Sequence, residues 1–217
     1  MPLQLDLENV LQFFTFLSPI FISTFLLLQS AMRGNMQGIV WIFGSFLAWV
    51  IGMGLKSMFH KWDSNKVASF IRRGQNVPVG TRKWQRQPIR MDWPIMPGST
   101  RNNTPDYCSV FSGPFSNHEI YNTSMPSLNA IFHAFTIAYI AMGVGHNPNP
   151  SPEGITFIVI LGILAIINWA FRIRLYCDKI LDIFVGATLG TALGVGWFYA
   201  IFTTHPTWVY YGKEEEK

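Results

Sequence analysis

Five stretches of this chain are each long and apolar enough to cross a lipid bilayer, which needs roughly 17–25 residues in an α-helix. Lipid offers no water to backbone polar groups, so such stretches fold as helices that satisfy those groups internally. The composition agrees, since 49% of the 217 residues are hydrophobic and only 13% are charged. The sequence therefore predicts an all-α, polytopic transmembrane helical bundle that forms a single membrane domain over residues 1–217. The predicted helices cover residues 10–29, 37–58, 127–145, 154–171 and 180–203.

A long polar loop, residues 60–125, separates the second predicted helix from the third. It holds nine of the sixteen Lys and Arg residues, interleaved with Trp62, Trp84 and Trp93. Basic and aromatic side chains in such a mixture are typical of segments that lie on lipid headgroups. A solvated loop packed on a neighbouring subunit is the alternative. The basic residues do not follow a soluble recognition element, so the net charge of +4 indicates an anionic lipid or an acidic protein partner rather than nucleic acid.

The membrane side of this loop follows from counting crossings, which places it on the same side as the turn at residues 171–180. Two glycosylation sequons, Asn102-Asn-Thr104 and Asn122-Thr-Ser124, lie in the loop. Cys108 and Cys177 fall on this side too, and they could pair if the compartment is oxidising. The basic loop alone would favour the cytoplasm, but it is longer than the loops for which the positive-inside rule is reliable. We expect this face to be lumenal or extracytoplasmic.

Two polar patterns stand at the starts of apolar helices on that side. One reads Met125-Pro-Ser-Leu-Asn-Ala130, and the other runs from Arg172 through Asp178 and Asp182 to Gly186-Ala-Thr-Leu-Gly190. Charges so close to a membrane helix are costly and generally mark a site or an internal ion pair. In order and spacing the two patterns resemble motifs of the type 2 phosphatidic acid phosphatase superfamily, which reads Pro-Ser-Gly-His in the first and Arg, five residues, His, three residues, Asp in the second.

The resemblance covers residues 37–203 and implies a phosphate site. In the family a Lys, two Arg, a Ser and backbone N–H groups hold the phosphate, while one His attacks phosphorus and another protonates the leaving alkoxide. Both histidine positions are changed here: Asn129 stands at the acid and Asp178 at the nucleophile, whereas Asp182 keeps the orienting carboxylate. Loss of the general acid alone costs roughly 10²–10⁴ in rate. The resemblance leaves four phosphate or lipid-binding candidates, namely Lys56, Ser127, Arg172 and Arg174.

These substitutions predict a phosphatase-like protein that has lost the family's standard catalysis. We expect it to act as a structural or accessory subunit, or as a phospholipid-binding scaffold, of a membrane assembly. The expected partners are membrane phospholipids and other membrane-protein subunits, with no cofactor and no metal. The alternative is an active lipid phosphate or isoprenyl diphosphate phosphatase with a rearranged site. If the resemblance holds, five residues should converge at one membrane boundary with Lys56 nearby: Ser127, Asn129, Arg172, Asp178 and Asp182.

Purely structural roles are open for the same residues. Arg174 and Asp178 are spaced i,i+4 and could form a local ion pair, and Ser127 could be only a helix cap. His133, one turn after Asn129, could replace the missing acid, but its greater depth favours a hydrogen bond between helices. Gly186 and Gly190 form a small-xxx-small pair, which is more typical of helix packing than of catalysis.

Overall fold

The computed structural model describes residues 7–74, 125–148, 152–175 and 177–210. This part of the chain is helical and contains no strand. Its elements are five α-helices, followed by a 3-10 turn at Pro206–Trp208: α1 (Leu7–Arg33), α2 (Gln37–Gly74), α3 (Leu128–Gly145), α4 (Pro152–Arg174) and α5 (Ile180–Phe202).

Four of these helices are long and apolar enough to span a membrane, as expected of an integral membrane protein. They are the Gln37–Phe59 part of α2 and the whole of α3, α4 and α5. Within the described residues, α1 contributes a shorter apolar segment, Leu17–Arg33. The predicted all-α fold is therefore confirmed, while the crossing of α1 stays a prediction.

Helix α2 differs from the prediction, which ended it at residue 58 and began a loop at residue 60. The helix continues to Gly74 without interruption. Between Gly54 and Gly74 the sequence has no glycine or proline. Because these are the residues that most disfavour a helix, the segment can continue the helical hydrogen bonds of α2. With 38 residues, α2 is about 57 Å long, so it extends well beyond a hydrocarbon core of about 30 Å. The rest of the predicted loop, residues 75–124, lies outside the described residues.

Helix α3 occupies the centre of the bundle. Of its membrane window 61% is buried inside the protein, against 17% for α4, which is peripheral. The buried side chains of α3 include Phe135 and Tyr139. They pack with Trp41 of α2 and Phe198 of α5 in one apolar core. The large apolar side chains on the outside of the helices remain exposed, as suits a surface in contact with lipid tails.

The closest helix contact joins α3 to α5, and glycines on α5 make it possible. A Cβ built on Gly186 would lie 2.6 Å from the backbone oxygen of Ser127, and one on Gly190 would overlap the backbone oxygen of Ile131. Small residues of this kind let two helix backbones approach each other. The helix-packing role predicted for these two glycines is confirmed. This contact also brings the first turns of α3 and α5 side by side.

Candidate functional site

The two helix starts are joined directly through the backbone. Ser127 precedes α3, and its N–H donates to the backbone oxygen of Asp182 in the first turn of α5 (3.1 Å). The Ser127 hydroxyl oxygen also accepts from the N–H of Ala130 (3.4 Å), so it caps α3. The capping role predicted for Ser127 is therefore present, and it is combined with a contact across the bundle.

Asp178 is the centre of the polar contacts at this end. Its Oδ2 accepts from the Ser127 hydroxyl (2.7 Å) and from Nε of Arg172 (2.5 Å). Only 6% of the Asp178 side chain and 12% of the Arg172 side chain are exposed. A carboxylate so well covered is stabilised only when it is paired and hydrogen-bonded, and both conditions are met here.

The turn between α4 and α5 positions Asp178. Helix α4 ends at Arg174, and the N–H groups of Cys177 and Asp178 then donate to the carbonyl of Arg172 (2.9 and 3.3 Å). This return of the chain places Asp178 next to Arg172. The i,i+4 ion pair considered for Arg174 and Asp178 stays a prediction, and the two residues do not share a helix, because α4 ends at Arg174 and α5 begins at Ile180.

Asp182 has a different role from Asp178. It is buried, and its Oδ2 accepts from the N–H of Lys179 (3.0 Å), the residue that precedes α5, so the carboxylate satisfies a free N–H at the start of this helix. A carboxylate in the first turn also interacts favourably with the helix dipole. Asp182 thus stabilises the beginning of the helix that carries the glycine contact.

Lys56 reaches the same cluster from α2. The residue is only 6% exposed, and the charged side chains near it are those of Asp178, Arg172 and Asp182. This end of the bundle therefore contains two basic side chains, Lys56 and Arg172, and two acidic ones, Asp178 and Asp182. We call these five residues the charged cluster: Lys56, Ser127, Arg172, Asp178 and Asp182.

Asn129 lies two residues after Ser127, at the position that the resemblance gives to the general acid. Its Oδ1 is buried and has no hydrogen-bond partner among the described residues. Its backbone oxygen accepts from Nδ1 of His133 (2.9 Å). A carboxamide has no proton to give to a leaving group, so it offers hydrogen bonds but no acid catalysis.

His133 is buried one turn deeper and takes part in contacts between three helices. Its Nε2 lies 3.1 Å from the hydroxyl of Ser18 on α1, and that hydroxyl also accepts from Nδ2 of Asn168 on α4 (3.1 Å). The interhelical hydrogen bond expected for His133 is confirmed. Since both ring nitrogens contact protein groups, the alternative role as a replacement acid loses its support.

Sequence reasoning did not single out Ser18 or Asn168. Of the two, Asn168 gave the clearer indication of an interhelical hydrogen bond, because a carboxamide inside an apolar helix needs a partner within the bundle. Ser18 was harder to find, since a serine in a membrane helix usually bonds to its own backbone.

The described residues include only part of the other predicted features. Cys177 is disulfide-bonded, while Cys108, the only other cysteine in the sequence, lies outside the described residues, as do both glycosylation sequons. Arg174 is exposed at the end of α4. Among the described residues no group of three or more His, Cys, Asp or Glu side chains could hold a metal ion.

Comparisons with family models, with curated proteins and with solved structures find no match for this chain.

Proposed function

We propose that this protein is a phosphatase-like integral membrane protein that has lost the family's standard catalysis and serves as a structural or accessory subunit, or as a phospholipid-binding scaffold, of a membrane assembly. One observation carries the proposal. Asp178 accepts hydrogen bonds from both Ser127 and Arg172, which are the groups that the resemblance assigns to phosphate binding.

A phosphate would have to compete with a carboxylate that the chain supplies. Asp178 is always present next to Arg172, and its bond to the guanidinium is charge-assisted and therefore strong. A phosphate entering this cluster would also meet two carboxylates, Asp178 and Asp182, whose charge repels it. Together with the carboxamide of Asn129, this disfavours binding and turnover of a phosphate ester in the family's manner.

The same contacts suit a structural role. Buried charges destabilise a protein when they stand alone, and they are tolerated when each has a partner. Here Lys56, Arg172, Asp178 and Asp182 come from α2, the end of α4 and the beginning of α5. Their mutual neutralisation therefore fixes α2, the end of α4 and the beginning of α5 relative to one another. We favour this internal network over a lipid-filled site.

The second candidate is an active lipid phosphate or isoprenyl diphosphate phosphatase with a rearranged site. The hydrogen bond from the Ser127 hydroxyl to Asp178 (2.7 Å) favours it, because a hydroxyl that donates to a carboxylate can be activated as a nucleophile. Ser127 is only 1% exposed, however. A substrate could reach it only if the contact between α3 and α5 opened, which makes this the weaker candidate.

The partners and the membrane side belong to the proposal as well. We place the charged cluster on the lumenal or extracytoplasmic side, which the disulfide at Cys177 supports because disulfides persist in oxidising compartments. The exposed apolar surface of the bundle suits phospholipid tails and other membrane-protein subunits.

The experiment has an activity arm and a binding arm, both with the purified full-length chain. Release of phosphate from phosphatidate and from an isoprenyl diphosphate should not exceed that of Asp178→Ala. Native mass spectrometry of the wild type and of Arg172→Ala should show the same retained lipid. Arg33→Ala is the matched control, since Arg33 is an exposed arginine that pairs with Glu153 (3.7 Å) away from the cluster.

Each arm can fail separately. Turnover that disappears in Asp178→Ala and in Ser127→Ala would replace the proposal by the second candidate. An anionic phospholipid that is lost in Arg172→Ala and kept in Arg33→Ala would show that the cluster binds a ligand. The scaffold part of the proposal would then stand, and our preference for an internal network would fall.

A further inference from the structure

Where its side chains are described, helix α1 buries a single narrow stripe of them. Among its described side chains the buried ones are Ser18, Ile22, Leu26 and Ser30, one on every turn. Lipid tails are as apolar as Ile or Leu, so burying two such residues against neighbouring helices gives little net drive for association in a membrane. Packing and the hydrogen bonds of the two serines must therefore account for much of what holds α1 in place.

The hydroxyls of the two serines bond to different parts of the chain, one nearby in the sequence and the other far away. The Ser30 hydroxyl donates to the carbonyl of Asn35 (2.5 Å) and accepts from the N–H of Gly38 (3.1 Å). Both partners lie at the turn into α2, so Ser30 stabilises the α1–α2 hairpin only. Ser18 instead contacts His133 of α3 and Asn168 of α4, which are 115 and 150 residues away in the sequence.

The direction of the hydrogen bonds around His133 follows from its neighbours. Nδ1 lies 2.9 Å from the carbonyl oxygen of Asn129, and because a carbonyl only accepts, Nδ1 carries a proton. A second proton on Nε2 would create a buried cation inside the membrane, and the Arg172 guanidinium would repel that cation. Such a charge is costly. Nε2 is therefore bare, and it accepts from the Ser18 hydroxyl.

We propose that Ser18, His133 and Asn168 form a polar lock that docks α1 onto α3 and α4, with His133 held as a neutral imidazole protonated on Nδ1. The bonds run in one direction, from the Asn168 amide to the Ser18 hydroxyl, from that hydroxyl to the imidazole, and from the imidazole to the Asn129 carbonyl. The lock does not depend on what the charged cluster does, and it leaves no ring nitrogen of His133 for chemistry.

The tautomer can be measured directly. In full-length protein with ¹³C,¹⁵N-labelled histidine, in detergent micelles, the signals missing from His133→Gln identify this residue among the five histidines of the sequence. We expect a neutral ring with the proton on Nδ1. Ser18→Ala should shift these signals, and Ser23→Ala should not, because the Ser23 hydroxyl bonds to the Pro19 carbonyl of its own helix. If His133→Gln does not fold, the signal that responds to Ser18→Ala gives the assignment.

Docking is tested by thermal unfolding of the same proteins. Ser18→Ala and Asn168→Leu should each lower Tm by about 2–4 °C, the shift that one lost interhelical hydrogen bond gives a chain of this size. Combined, they should lower it by clearly less than the sum, because both remove one network. Ser23→Ala should leave Tm unchanged.

Three results would overturn the lock. One is a His133 ring that is doubly protonated or carries its proton on Nε2. Another is an equal response to Ser18→Ala and Ser23→Ala in both measurements. The third is full additivity of Ser18→Ala and Asn168→Leu, which would mean that the two side chains act separately.

Discussion

Two sets of polar contacts between the helices of this bundle, the charged cluster and the polar lock, solve the same problem differently. The charged cluster, near the end of the membrane-spanning part of α2, at the end of α4 and at the starts of α3 and α5, uses two basic and two acidic side chains, with Arg172 and Asp178 only 6 residues apart. The polar lock lies deeper and uses neutral groups, with Ser18 115 and 150 residues away from its two partners. Charges are tolerated at helix ends, where paired partners are available, whereas the interior admits only polar groups without net charge.

The difference has a consequence for stability. Removing one member of a neutral network leaves a hydrogen-bonding group that can find another partner, but removing one member of a buried ion pair leaves a charge without compensation. The charged cluster should therefore be the more sensitive of the two regions, although the chain could do without it if all its charges were replaced together.

The largest effect is expected for Asp178→Asn, which keeps the shape of the side chain and removes its charge. Arg172 and Lys56 would then face one carboxylate instead of two, and the free energy of unfolding should fall by about 3–5 kcal/mol. Chemical or thermal unfolding in detergent measures it. The combined variant Asp178→Asn with Arg172→Met should regain part of the loss. Equal stability of the two variants would mean that the ion pair does not hold the helix ends.

Gly190→Ala tests the contact that creates the cluster. The new methyl group would overlap the backbone of Ile131, and separating α3 from α5 should cost about 1–3 kcal/mol of unfolding free energy. Gly196→Ala on the same helix is the control, since a Cβ there meets nothing within 4 Å. It should be neutral or slightly stabilising. Similar losses for both glycines would contradict close packing of α3 on α5.

Ser127→Ala separates the cap from the charges. It removes the helix cap and the hydroxyl that donates to Asp178 but leaves the Arg172 pair in place, so the expected loss is about 1–2 kcal/mol. The same unfolding measurement applies, with Ser45→Ala as control because the Ser45 hydroxyl bonds only within its own helix. A loss as large as that of Asp178→Asn would mean that Ser127, and not the ion pair, dominates this region.

The smallest effect is expected for Glu153→Gln. Glu153 pairs with Arg33 at 3.7 Å, and its side chain is 84% exposed. Solvent screens such a pair, so unfolding free energy should change by no more than about 0.5 kcal/mol. A loss above 1 kcal/mol would show that surface charges also matter here, and the contrast between buried and exposed pairs would have to be given up.

Much of the fold could be predicted because hydropathy is a local property. Apolar runs of membrane length mark α2 to α5, and the polar residues at helix starts mark the end where Ser127, Asp178 and Asp182 lie. The extension of α2 to Gly74 was missed, because a polar sequence without breakers can be either a helix or a loop until its neighbours are known.

The site was predicted less completely. The residue types of the site could be predicted, because charged residues beside an apolar helix generally mark a site or an ion pair. Which of them pair could not: Asp178 bonds to Arg172 and Ser127 because the chain turns back after Arg174, and no spacing rule covers that turn. Asn168 and Ser18 escaped notice for a similar reason, because they bond to each other across 150 residues of the sequence.

The sequence by itself determined that the chain forms apolar helices of membrane length and that Arg172, Asp178 and Asp182 lie next to the start of one of them. Only the tertiary structure decided that glycines bring α3 and α5 into backbone contact, that Asp178 takes the donors Ser127 and Arg172, and that Ser18 meets His133 and Asn168. The physical reason is that lipid is as apolar as most helix surfaces. Hydrophobicity therefore places helices in the membrane but does not choose the faces that meet, and that choice depends on close packing and on hydrogen bonds between residues far apart in the chain.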